Sequence, residues 1–375
     1  MIRSIFTIIS ISLLIACNTA KNQEDVASEI QLDLSTEIKT FAMPEGWGHF
    51  NHIFVNTIDK IYFYNYGKNS LVAFDKKTSE LLFETKFEKE GPNGMGGNVA
   101  DVKITDDGEI WLYTSGDRFF QMNASGEVLS QHTLKTAEIF EKNISPLGFA
   151  LEKVDDVLYI PTIPMVFQWT SLTVDELAAL PNVIAYNLKD DTYEFASMFD
   201  REFLGTNLNK MIMSGVTLGK NGELIVNLNF RDIYVMKDGV QHSYPASFSQ
   251  FPADPPTSSK DMFEDMDEIM RIMNYSNAYE RTAYLPLHNL YMRVARFEES
   301  PGDEMESRVT FLASKWALVF LDEDFQKVGE IILPESATNA NYIFETEEGI
   351  WFSTDHPNNP DIDEDLFQFR LLTVK

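Results

Sequence analysis

Short apolar and aromatic runs recur along the chain, each entered through a tight polar turn, and the same two-strand pattern returns six times. The first run of the pair is Ile61-Tyr62-Phe63-Tyr64 behind Asp59-Lys60, then Ile110-Trp111-Leu112-Tyr113 behind Asp107-Gly108-Glu109. It recurs as Val157-Leu158-Tyr159-Ile160 behind Asp156 and as Leu224-Ile225-Val226 behind Asn221-Gly222-Glu223. Leu290-Tyr291-Met292-Arg293-Val294 behind Asn289 and Ile350-Trp351-Phe352 behind Glu348-Gly349 complete the set. Asp-Gly and Asn-Gly favour hairpins because both central positions accept positive φ. The second run follows at 70–74, 118–122, 183–186, 232–236, 316–321 and 366–371, and a third is visible at 81–87, 128–134 and 328–333. Several strands in a unit of about 40–50 residues make a propeller blade. Six units predict an all-β, six-bladed β-propeller.

Two units carry extra material. Residues 161–181 interrupt the third, where Thr173-Val174-Asp175-Glu176-Leu177 predicts a capped helical turn. The larger interruption follows Pro252, Pro255 and Pro256. From Ser259, Met262, Phe263, Met266, Ile269, Met270 and Met273 recur at helical spacing. This predicts a short helical insertion between blades 4 and 5, at about 257–285, with Pro286 as its latest end. Its Met-rich stripe either packs on the propeller or offers a protein partner an adaptable surface.

A ring of blades must close, or its ends expose strand edges. Glu29-Ile30-Gln31-Leu32-Asp33-Leu34 alternates polar and apolar residues and predicts the outermost strand of the last blade. The propeller domain is thus expected to span 29–375. Upstream, Arg3 precedes an apolar run from Ile5 to Ile15 that is shorter than the roughly 20 residues needed to cross a bilayer. The run ends in Leu14-Ile15-Ala16-Cys17, which resembles the bacterial lipobox. That resemblance implies a signal peptide at 1–16, lipidation of Cys17 and a membrane partner reached through the N-terminal lipid. Cys17 is the sole cysteine, so lipidation also removes an otherwise unpaired thiol. Residues 18–28 are small and polar and read as a tether. Asn18, rather than Asp, follows the lipidation position and points to the outer membrane of the cell envelope.

Composition supports a large core: of 375 residues, 44% are hydrophobic, and 28 Phe with 14 Tyr favour strands. The formal net charge is −28, from 58 acidic and 30 basic residues. Such a field repels nucleic acid, so no nucleic-acid partner is expected.

Val72-Ala73-Phe74-Asp75, then Phe87-Glu88-Lys89-Glu90-Gly91-Pro92-Asn93-Gly94, then Asp106-Asp107-Gly108-Glu109-Ile110-Trp111 resembles six-bladed propeller lipoproteins of the NHL and TolB-like kind. More narrowly, it resembles a lipoprotein family marked by Phe-Asp…Glu-Gly-Pro-Asn-Gly between its first two blades. The resemblance implies a propeller and a lipid anchor, and it supplies no catalytic residues.

Local motifs for chemistry are sparse. The chain has no HExxH, no GxSxG and no phosphate-binding loop. No catalytic residue and no required cofactor are predicted. Asp361, Asp363 and Asp365, in the acidic tract 355–365, place oxygen ligands at alternate positions, a spacing that suits Ca²⁺ but lacks an EF-hand's Gly and Glu. A solvated loop is the competing reading. Arg281, Arg293 and Arg296 lie among Tyr279, Tyr284 and Tyr291. An Arg on an inner strand would reach the central channel and hold a carboxylate or stack on a sugar. Pairing with one of many carboxylates is the alternative. Trp47, His49 and Trp169 form a candidate aromatic rim for a glycan. The function these features predict is a lipid-anchored binding or scaffold module. A glycan- or peptide-directed hydrolase or lyase at the channel mouth is the alternative, since such a site leaves no local motif.

Overall fold

The computed structural model describes residues 30–48, 52–115, 117–135, 138–139, 144–146, 150–164, 173–199, 201, 214–228, 232–252, 276–297, 314–334, 339–356, 359–363 and 365–375. The candidates Cys17, His49 and Trp169 and the Met stripe at 262–273 lie outside the described residues. Within the described residues, antiparallel strands form six sheets, the six blades of a propeller. Blade 1 comprises β2 (His52–Asn56), β3 (Lys60–Asn65), β4 (Ser70–Asp75) and β5 (Leu81–Lys86). Blade 2 comprises β6 (Val99–Ile104), β7 (Ile110–Thr114), β8 (Arg118–Met122) and β9 (Val128–Thr133). In blade 3, β10 (Ile144–Pro146) and β11 (Glu152–Val154) both pair with β12 (Val157–Pro164), which continues to β13 (Pro181–Asn187) and β14 (Thr192–Met198). Blade 4 comprises β15 (Ser214–Leu218), β16 (Leu224–Leu228), β17 (Ile233–Lys237) and β18 (Val240–Tyr244). Blade 5 comprises β19 (Ala278–Leu285), β20 (Leu290–Arg296), β21 (Trp316–Leu321) and β22 (Lys327–Ile332). Blade 6 comprises β23 (Asn339–Thr346), β24 (Gly349–Ser353) and β25 (Leu366–Val374), and its outer strand is β1 (Leu32–Ala42).

The ring therefore closes with a strand from the start of the chain. β1 pairs antiparallel with β25 from Leu32 opposite Val374 to Ala42 opposite Leu366, and the backbones of Gln31 and Lys375 exchange hydrogen bonds at 2.9 and 3.0 Å. Ile30 extends the contact to blade 5 through a 3.0 Å bond from its N–H to the Val328 carbonyl.

The recurring runs of the sequence are the second and third strands of each blade. They are buried on both faces, as in β7 and β20, where every residue is buried, because each blade is sandwiched between two others. The hydrophobic clusters fall at the seams between blades. The seam between blades 6 and 1 is the most aromatic. Phe63 stacks on Phe367 at 4.4 Å, and Phe41 meets Phe74 and Phe369 edge-on at 5.5 Å each. Such pairs add roughly 0.5–1.5 kcal/mol each beyond their buried area. Outer strands such as β9 alternate between half-buried and exposed.

Two expectations change. The insertion region ends before 285, since Ala278–Leu285 is the first strand of blade 5; residues 253–275 lie outside the described residues. The turn at Asp107-Gly108 places only the glycine at positive φ, +90°, within a longer turn closed by the Gly108 N–H on the Thr105 carbonyl. A hairpin with both central residues at positive φ occurs at Asp238-Gly239, 52° and 75°, between β17 and β18. The helical turn in blade 3 is present as α1 (Val174–Ala178). The Thr173 hydroxyl accepts from the Glu176 N–H at 3.2 Å, and the Glu176 carboxylate accepts from the Thr173 N–H at 2.8 Å.

Candidate functional site

The first strands of the blades surround a central channel and run the same way along it. Near where they finish lies a cavity of about 470 Å³. Every blade lines it, through Thr57, Asp101, Glu152, Thr217, Arg281 and Glu345 in blade order. These strands escape a search for apolar runs because one face of each meets the polar channel. β6 reads Val-Ala-Asp-Val-Lys-Ile and β19 reads Ala-Tyr-Glu-Arg-Thr-Ala-Tyr-Leu.

A bulge breaks the register of β6 between Val99 and Asp101, and another breaks β19 between Tyr279 and Arg281. Bulges re-aim the neighbouring side chain. In both strands the residue after the break lines the cavity, and blades 2 and 5 stand opposite each other in a ring of six. Asp101 accepts from the Val102 N–H at 2.8 Å and from the Leu151 N–H at 3.0 Å, so its carboxyl bolts blade 2 to blade 3. Burial pushes that carboxyl up to about 6. Lys103 pairs with Glu152 at 2.9 Å. Burial pulls the Lys103 ammonium down, but Glu152 and Asp101 outweigh it and leave it above its ordinary value. Glu345 accepts from the Leu287 N–H at 3.2 Å and pairs with the His288 ring at 3.0 Å. Behind the blade 1 wall, the Lys76 ammonium donates to the Thr57 carbonyl and, at 3.4 Å each, to Asn56 Oδ1 and the Ile58 carbonyl. Burial pulls it down to about 8.

Arg281 differs from its neighbours. Its Nη2 makes one long contact, 3.4 Å to the Ala340 carbonyl, and its enclosed Nε has no partner. Burial pulls the guanidinium down to about 10, and no carboxylate among the described residues pairs with it. It stays charged at neutral pH.

The other sequence candidates fall elsewhere. Arg293 lies on β20, the second strand, and is fully enclosed at the seam of blades 4 and 5. Its Nε donates to Asn227 Oδ1 at 2.9 Å, its Nη1 to the Ala246 carbonyl at 3.0 Å and its Nη2 to the Leu228 carbonyl at 2.7 Å, and it stacks 3.6 Å over Tyr279. It therefore does not reach the channel. Arg296 is buried against Glu280, 2.7 Å away. Trp47 is not part of an exposed rim: it is 4% exposed, stacks on His52 and donates to Glu84 Oε1 at 3.2 Å. Asp361, Asp363 and Asp365 are all exposed, and among the described residues no three metal-ligating side chains converge. Thr57, Asp101, Glu152, Thr217 and Glu345 were not sequence candidates. Each comes from a different blade, and only the closed ring brings them together.

A second polar group lies near the blade 6 seam. Ser353 Oγ donates to Asp355 Oδ2 at 3.0 Å, the Gln368 N–H adds a bond at 3.3 Å, and burial pushes the Asp355 carboxyl up to about 7. Ser353, Asp355 and His356 are sealed at 0–1% exposure. The group holds β24 to β25 rather than facing solvent.

Six four-to-five-stranded blades around a lined channel define a six-bladed β-propeller. Its family follows from comparison: a model described as "Domain of unknown function (DUF4221)" matches residues 29–332, and the chain belongs to that family. A crystal structure of a DUF4221 member from Bacteroides vulgatus is similar over 93% of this chain and 99% of its own, with TM-score 0.78 and 17% identity. A Bacteroides fragilis protein is similar over 92% of this chain and 95% of its own, with TM-score 0.54 and 10% identity. A search of curated proteins finds no match.

Proposed function

We propose that the chain is a lipid-anchored binding module of the cell envelope, and that its ligand seat is the channel cavity where the inner strands finish. The observation that carries this reading is the cavity itself. Six blades each contribute a polar or charged side chain to one space of about 470 Å³, within the range of small-molecule sites. The Arg281 guanidinium, with one long contact and no partner on its Nε, faces it. A packed core would leave neither. The lipobox at Cys17 and the tether at 18–28 support the anchor, with the outer membrane as its place. No reaction is assigned, since the wall carboxylates Asp101, Glu152 and Glu345 are each engaged by a backbone amide or a cation.

The test is ligand binding with and without Thr217→Trp, which fills the cavity from β15. Small molecules that raise the melting temperature of the wild-type full chain should not do so in the variant, with circular dichroism confirming an unchanged fold. Stabilisation that survives the substitution would place the seat elsewhere.

A further inference from the structure

The chain carries 58 acidic side chains against 30 basic, so a half-buried base without a carboxylate is unexpected. Among the described residues, the other cations of the interior are matched. Arg296 has Glu280, Lys103 has Glu152, Lys76 has two carbonyls and Asn56, and Arg293 has three oxygens and a ring. Arg281 has one long contact and a free, enclosed Nε. Removing a charge from water without a partner is costly, and a cavity beside it supplies room for the missing partner.

The rest of the wall restricts what that partner is. Asp101, Asp106, Glu152 and Glu345 also line the cavity; Lys103 offsets Glu152 alone, and the remaining acidic groups disfavour a doubly charged phosphate. Asp106 is exposed, and its Oδ1 accepts from the Ile58 N–H at 3.3 Å. Beside it, Ile58 lines the cavity as an exposed apolar side chain, with Pro286 exposed on the turn after β19. The lining thus offers a cation on blade 5, an acidic group at the loop after β6 and apolar surface on the neighbouring turns. A planar guanidinium matches a carboxylate well.

We infer that Arg281 holds the carboxylate of a small amphoteric ligand of the amino-acid and short-peptide class, whose ammonium faces the acidic wall. This rests on the reading of the channel as a ligand seat. The geometry makes the carboxylate essential and the ammonium a secondary determinant, because Arg281 has no carboxylate whereas most wall carboxylates are already engaged.

The test is calorimetric titration of the full chain with L-alanyl-L-alanine, its C-terminal amide, its N-acetyl derivative and inorganic phosphate. The dipeptide should bind, the amide should bind at least about tenfold more weakly, and the N-acetyl form should fall between. Arg281→Gln should lose dipeptide affinity by at least about tenfold while keeping its melting temperature. Equal binding of dipeptide and amide, unchanged binding by Arg281→Gln, tighter binding of phosphate, or binding of none of these probes would each overturn the inference. Thr217→Trp separates the two readings. If it expels some other molecule while the dipeptide fails to bind the wild type, the seat stands and the carboxylate class falls. If ligands bind it as they bind the wild type, the seat itself falls.

Discussion

Arg281 and Arg293 have the same side chain and neighbouring strands, yet the fold gives them opposite environments. On β20, Arg293 is locked by three hydrogen bonds and a stacked ring; on β19, Arg281 is set beside a cavity by a bulge. The sequence shows that arginines are scarce and lie among tyrosines. It does not show which strand is innermost, and that decides everything about them. Asp355 gives the residue scale a pH-dependent prediction. Its carboxyl, pushed up to about 7, stays protonated in the folded chain at pH values where the unfolded chain has already ionised. The folded state then binds the extra proton, so this contribution to stability is greatest in acid and is lost as pH rises through about 7. Asp101, raised to about 6, acts in the same direction. Urea denaturation at about pH 5 and about pH 8 should show a smaller stability difference in Asp355→Asn than in the wild type. An unchanged difference would rule out this role for Asp355.

At the scale of elements, the second and third strands were legible because both of their faces are buried, which leaves continuous apolar runs. The first strands were not, because their channel face is polar. The Glu-Gly-Pro-Asn-Gly stretch was legible as a loop between blades, and the structure supplies its physical reason. A Cβ on Gly94 would lie 2.5 Å from the Glu90 backbone, while Met95, fully buried, plugs the seam of blades 1 and 2. The alternation at 29–34 was enough to place the closing strand, and β1 indeed extends beyond it to Ala42. Deleting residues 29–40 removes most of β1, uncovers the edge of β25 and strips Ile30, Leu32 and Leu34 from the blade 5–6 seam. The expected result is a melting temperature lower by about 10 °C or more in a thermal scan, given the size of a strand's contribution. A shift within about 2 °C would show that the ring does not depend on this closure.

The whole molecule combines a propeller with an N-terminal segment whose likeness to a lipobox underlies the proposed anchor. The strongly acidic chain gains no attraction from anionic headgroups, so under this proposal acyl chains on Cys17 would have to supply the attachment. Cys17→Ser should move the protein from the membrane pellet to the soluble fraction on ultracentrifugation. An unchanged distribution would refute the anchor. The channel exists only in the closed ring, since its wall is assembled from all six blades and forms no local motif. The decisive measurement is a crystal structure of the full chain with a small molecule that stabilises it. Ligand density is expected between β6 and β19, in contact with Arg281 and absent from Thr217→Trp crystals. Density on the propeller's outer surface, with the channel filled only by water, would contradict the channel as the seat.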